Sequence, residues 1–208
     1  MDHDHISKII ALIRYANAME KLSQGLREDL NRLEKEIHEM IERRWTHIMI
    51  HHGATEDGRA FDWQATRRYQ MSWRIDGVSV TKADYDRRLA IKDGKRFEPP
   101  WRDIGYHFGN EKVNDRYEII VGRNLDEEGA HCVGMNDRAI GFCFAGNFDL
   151  APPPGEQWEI GIRFVRSLLK LLDIPIGSVV GHRDYAQKTC PGKLFDMDLF
   201  RRDLGRII

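Results

Sequence analysis

The sequence predicts an α/β domain: a central, mainly mixed β-sheet flanked by helices, with a helical extension at the N-terminus. Three observations carry this. Ala139 to Ala145, AIGFCFA, is apolar throughout, as a central strand buried on both faces is. Thr46 to His51, THIMIH, puts Ile48 and Ile50 on one face and His47, Met49 and His51 on the other. Gly155 to Leu172 sets Trp158, Ile162, Val165, Leu168, Leu169 and Leu172 at steps of three and four, the stripe of an amphipathic helix. Strands that alternate with such helices bury one shared sheet.

Taken in order, residues 1–44 read as the helical extension and 45–208 as the main domain. Apolar residues recur from Ile6 to Ile13 and from Leu22 to Ile41 at helical spacing, weakened at Ser23-Gln24-Gly25. One unbroken helix there would run about 60 Å at ~1.5 Å per residue. The expectation is therefore a break near Gly25 or a partner, self-association through these helices included. Phe61 to Trp73 reads as a helix. Arg74 to Pro100 is polar and turn-rich, with Asp76-Gly77, Asp93-Gly94 and Pro99-Pro100 as breakers, and reads as an insertion at the rim of a cleft. Trp101 to Phe108 leads into a strand bearing Tyr106. Tyr117 to Val121 and Val179-Val180 are further strands, and Phe195 to Leu204 closes the chain as a helix.

Composition excludes several classes. Of 208 residues, 41% are hydrophobic and 31% charged, and the net charge is −1, so no general pull toward nucleic acid is expected. No stretch is apolar for long enough to span a bilayer, so membrane insertion is not expected. The start, MDHDHISKII, lacks the basic and apolar regions of a secretory signal, which predicts a chain kept in the cytoplasm until released. Cys132 and Cys143 lie in or beside apolar stretches, where buried free thiols are the ordinary state and a mutual disulfide the lesser alternative.

The chemistry concentrates in Gly181 to Gly192, GHRDYAQKTCPG. His182 and Cys190 are both zinc-ligand types on one loop short enough to curl around an ion. Lys188 sits two residues before the thiol and brings a positive charge. A catalytic zinc takes three protein groups and leaves a fourth position open. The best third candidate is His51, at the end of a rigid strand. The metal set is then His51, His182 and Cys190. His52, next to His51, and His107, next to Tyr106, are expected on the far side of the sheet, since successive strand residues alternate.

Four separated stretches, IHHGAT, DIGYHF, GAHCVGMNDRAIGFCFAGNFD and GHRDYAQKTCPG, occur in the order found in the type-2 N-acetylmuramoyl-L-alanine amidases, the group of the phage amidase-type lysozymes and the peptidoglycan-recognition proteins. The resemblance runs from about Thr46 onward. It implies Zn2+ as cofactor, peptidoglycan as partner, and hydrolysis of the amide between N-acetylmuramic acid and L-alanine. Tyr106 and Lys188 stand at the positions of the catalytic pair, one to orient or deprotonate water and the other to stabilise the oxyanion. His131 and Asn136 stand at positions that line the substrate groove. Recognition proteins commonly carry threonine at the position of Lys188, so the resemblance points first to an endolysin. A non-catalytic peptidoglycan-binding module is the alternative, although such proteins usually lose the cysteine ligand. Cytoplasmic cell-wall recycling amidases commonly use aspartate where this chain has Cys190.

Overall fold

The computed structural model describes residues 45–54, 63–91 and 94–206. The expected N-terminal helices at 1–44, and with them the boundary of the extension, lie outside the described residues.

Strand β1 (His47–His52) is the hub of a five-stranded mixed sheet. It pairs in parallel with β7 (Ala139–Phe144) on one side and with β8 (Val179–Gly181) on the other. Strand β5 (Phe108–Val113) runs parallel to β7, and β6 (Arg116–Val121) closes the edge antiparallel to β5. The spatial order is β6-β5-β7-β1-β8. All six residues of β7 are buried, as a central strand requires.

The two faces of β1 divide as its alternation predicts. Ile48 and Ile50 join the main core with Phe142, Phe144, Val165, Leu168 and Phe200. Met49 packs on the opposite side with Cys132, Met135, Ala139 and Val180. Helices α3 (Gly155–Leu172) and α4 (Met197–Gly205) cover the first face. Helix α3 occupies the residues its periodicity marks, and its end is fixed by Asp173 in the left-handed region, φ 52°. It lies close on the sheet: a Cβ on Gly161 would stand 2.4 Å from the Phe144 ring. Gln157, fully buried, donates to the carbonyls of Asn110 and Ala145 and so ties the helix to the middle of β5 and to the residue after β7.

Three expectations need correction. The insertion over residues 74–100 is more regular than its turn-rich letters suggest. Strands β2 (Trp73–Ile75), β3 (Val78–Val80) and β4 (Phe97–Glu98) make a small antiparallel sheet, and α2 (Lys82–Ile91) packs on it. Tyr85 lies 4.7 Å from Trp73 and 5.4 Å from Phe97 between ring centroids, a core too small to leave a periodic signal. The helix expected over 61–73 is α1 (Trp63–Gln70), and β2 already begins at Trp73. Tyr106 is not in a strand; it lies in the irregular segment two residues before β5.

Candidate metal centre

Three chain segments meet beyond the end of β1. His51 is its fifth residue, His182 follows directly on β8, and Cys190 closes the loop that leaves β8. One ligand-type atom from each lies within 4.8 Å of the others. His51 Nδ1 is 3.6 Å from Cys190 Sγ, and the His51 and His182 ring centroids are 4.6 Å apart. Nitrogen and sulfur donors about 2.1 and 2.3 Å from one tetrahedral centre stand about 3.6 Å apart. The pair therefore fits zinc as it stands. The same distance also suits a thiol–imidazole hydrogen bond when no metal is bound.

The loop that delivers Cys190 is tied down along its length. Arg183 reaches back to the carbonyls of Gly192 and Phe195, and its own N–H donates to the Cys190 carbonyl at 2.7 Å. Asp149 accepts from the Thr189 hydroxyl at 2.7 Å and from the Lys193 N–H at 2.8 Å. Gly192, at φ +116°, is the one residue type that fits: a Cβ there would meet the Phe148 backbone at 2.5 Å. Asp184 accepts from the Gly181 N–H and faces Arg201.

Burial sets the protonation of this cluster. It holds His51 well below the usual imidazole value, with the charges of His131, His182, His52 and Lys188 adding to the shift. Burial also lowers His182, again with a contribution from Lys188. Both rings are thus neutral, the form that ligates a metal. Burial pushes the Cys190 thiol up to about 11, opposed by the His52 N–H at 3.5 Å from the sulfur and by the charge of Lys188. Lys188 is exposed at the loop surface, and its ammonium favours the thiolate.

Tyr106 stands beside His51, ring centroids 5.1 Å apart. Burial and the nearby Cys143 and Cys190 raise its phenol well above 10. It is a protonated group at neutral pH. Cys132, Cys143 and Cys190 are all free thiols.

His131 and Asn136 are half-buried, and both make contacts within the chain. His131 Nδ1 lies 3.0 Å from His51 Nε2, and its Nε2 lies 3.0 Å from the Ala139 carbonyl. Both ring nitrogens have partners within the protein. Burial lowers His131 to about 4, partly offset by the Ala139 carbonyl. Asn136 Oδ1 accepts from the N–H groups of His131 and Cys132 and so shapes the loop. The two other histidines also hold structure. His52 faces the helix-covered side, where its Nδ1 accepts from the Phe148 N–H. His107 lies edge-on to Trp45, 4.8 Å away, and its Nδ1 accepts from the Gly141 N–H. The residues missed from the sequence are Cys143 and Asp149. Cys143 sits opposite His51 in the β1–β7 register, which only the pairing of the two strands sets.

Residues 42–193 match the family described as N-acetylmuramoyl-L-alanine amidase. Peptidoglycan-recognition protein 2 of Holotrichia diomphalia is 29% identical over 113 residues, 53% of this chain and 59% of the relative. N-acetylmuramoyl-L-alanine amidase of Mus musculus is 33% identical over 104 residues, 47% of this chain and 18% of the relative. The aligned part thus spans less than two thirds of either relative. Among solved structures, an endolysin N-acetylmuramoyl-L-alanine amidase of Clostridium intestinale has the same fold, with TM-score 0.55 and 24% identity over 77% of this chain and 84% of that one.

Proposed function

From the premise that the chain belongs to the N-acetylmuramoyl-L-alanine amidase family, we propose that it is a zinc-dependent hydrolase that cuts the amide between N-acetylmuramic acid and L-alanine in peptidoglycan, and that it serves as an endolysin. The observation that carries the reading is the convergence of His51, His182 and Cys190 from three separate segments within 4.8 Å. A zinc ion there would be held by those three groups, and it supplies Lewis acidity, bringing the pKa of water to about 7 and polarising the carbonyl.

The remaining work falls to the chain itself. His51 and His182 stay neutral because burial opposes their protonation, so their lone pairs remain available. Tyr106 keeps its proton and acts as a hydrogen-bond donor that orients water or the carbonyl oxygen. Lys188 places a positive charge where the oxyanion develops, an effect commonly worth ~10²-fold in rate. Asp149 and Arg183 hold the loop that carries Lys188 and Cys190, so that this charge and the thiolate are set before substrate arrives. Lys188 is also what supports the endolysin role, since recognition proteins commonly have threonine there.

The test is mass analysis of digested peptidoglycan, with metal content measured on the same protein. Intact glycan strands and free stem peptides are expected from the native chain, and neither from Cys190→Ser. Cleavage between sugars would refute the assigned bond. Zinc uptake without release of peptide would leave a binding module instead of an enzyme.

A further inference from the structure

We infer that His131 is a positioning residue: it fixes which nitrogen of His51 is free to bind the metal, through a one-way chain of hydrogen bonds anchored on the Ala139 carbonyl. The inference rests on the proposed role of His51 as a ligand and names what enforces it.

The direction of the chain follows from its anchor. A carbonyl oxygen only accepts, so His131 Nε2, 3.0 Å from Ala139 O, carries a proton. A neutral ring with its proton on Nε2 has its lone pair on Nδ1. That lone pair faces His51 Nε2 at 3.0 Å, which must therefore donate. His51 then has its own lone pair on Nδ1, the atom 3.6 Å from Cys190 Sγ. Without metal, the thiol donates to that lone pair; with metal, both become donors to the ion. The reverse order would require the carbonyl to give a proton it does not have.

The protein builds a slot for this ring. A Cβ on Gly129 would stand 2.4 Å from His131 Cδ2, and one on Gly141 would stand 2.5 Å from it. Neither position admits a side chain while the imidazole is in place. Asn136 Oδ1 holds the His131 N–H at 2.8 Å and so sets the backbone from which the ring projects. Behind it, the His107 ring lies edge-on at 6.0 Å between centroids. Position and orientation are both specified, as for a ring whose hydrogen bonds matter.

Two measurements test this. In metal-free protein with 15N-labelled histidines, long-range 1H–15N spectra at neutral pH should show both His51 and His131 with the proton on Nε2. A proton on Nδ1 of His51 overturns the proposal. Chelator competition then reads zinc affinity for native protein, His131→Ala and His131→Asn, each checked for folding by circular dichroism. Loss of the acceptor in His131→Ala should weaken zinc by ~10–100-fold. His131→Asn, which keeps an oxygen at the δ position, should recover most of that loss. Native-like affinity in His131→Ala, or equal weakening in both variants, overturns the positioning role while leaving the metal site intact. A native protein that takes up no zinc overturns the metal site and this inference together.

Discussion

Acid should destabilise the metal-free protein through His131, and the size of the effect can be worked out. Its pKa falls from 6.5 in the unfolded chain to about 4 in the fold, mainly because burial excludes the charged ring. The unfolded state therefore binds the extra proton first. Stability contributed by the neutral ring is fully present above pH 6.5 and is lost as pH falls from 6.5 toward 4. The full shift corresponds to about 3 kcal/mol, of which about 2 kcal/mol is spent by pH 5. The groups facing the ring act in the same sense: His182 and Arg123 oppose its protonation, and only the Ala139 carbonyl favours it. His51 and His182 are themselves lowered, so the observed loss should be at least this large. Urea unfolding in the presence of a chelator, at about pH 7.5 and about pH 5, measures it. In His131→Asn the pH-dependent loss should shrink by about 2 kcal/mol, since the ring that titrates is gone. A stability that is flat over this range, or an unchanged loss in the variant, would refute the claim that a buried neutral imidazole stands behind His51.

Other outcomes follow from single contacts. Tyr106→Phe should keep zinc uptake and lower kcat by ~10²-fold, as loss of one transition-state hydrogen bond does; an unchanged rate would remove the phenol from the mechanism. Because the Cys190 thiol, at about 11, is protonated at neutral pH, zinc must displace that proton. Apparent zinc affinity should then rise about tenfold per unit between roughly pH 7 and 8, readable by chelator competition. Gly161→Ala puts a methyl 2.4 Å from the Phe144 ring and should cost about 1–3 kcal/mol in urea unfolding. Activity per folded molecule should be unchanged, because the clash lies on the face of the sheet opposite His51.

What could be read from the sequence was what repeats locally. The stripe of α3 and the alternation in β1 each report on one element and its one buried face, so the letters suffice. The small sheet of β2, β3 and β4 has strands of only two or three residues, and its Trp73, Tyr85 and Phe97 core forms only after the chain has folded back. Strand β5 lies later in the chain than its letters predict, because FGNEKV carries polar residues where a strand next to the centre should be apolar. Its buried Asn110 is tolerated because its amide donates to the Gln157 carbonyl, a partner 47 residues away that no local pattern announces.

The metal site divides in the same way. Residue types that bind zinc are visible as letters, and strand ends and short loops are where rigid ligands belong. Which ring nitrogen is available is not a property of the letter H. It depends on a proton, and the proton's place depends on a carbonyl in β7 reached through a histidine 80 positions from His51 in the chain. His131 thus has the appearance of a groove residue in the sequence, since a polar side chain on a loop before a strand suits substrate contact. In the fold the same loop brings its imidazole against His51, 3.0 Å between ring nitrogens. A polar residue near a site can serve the substrate or the group that holds the metal, and its letter does not separate the two.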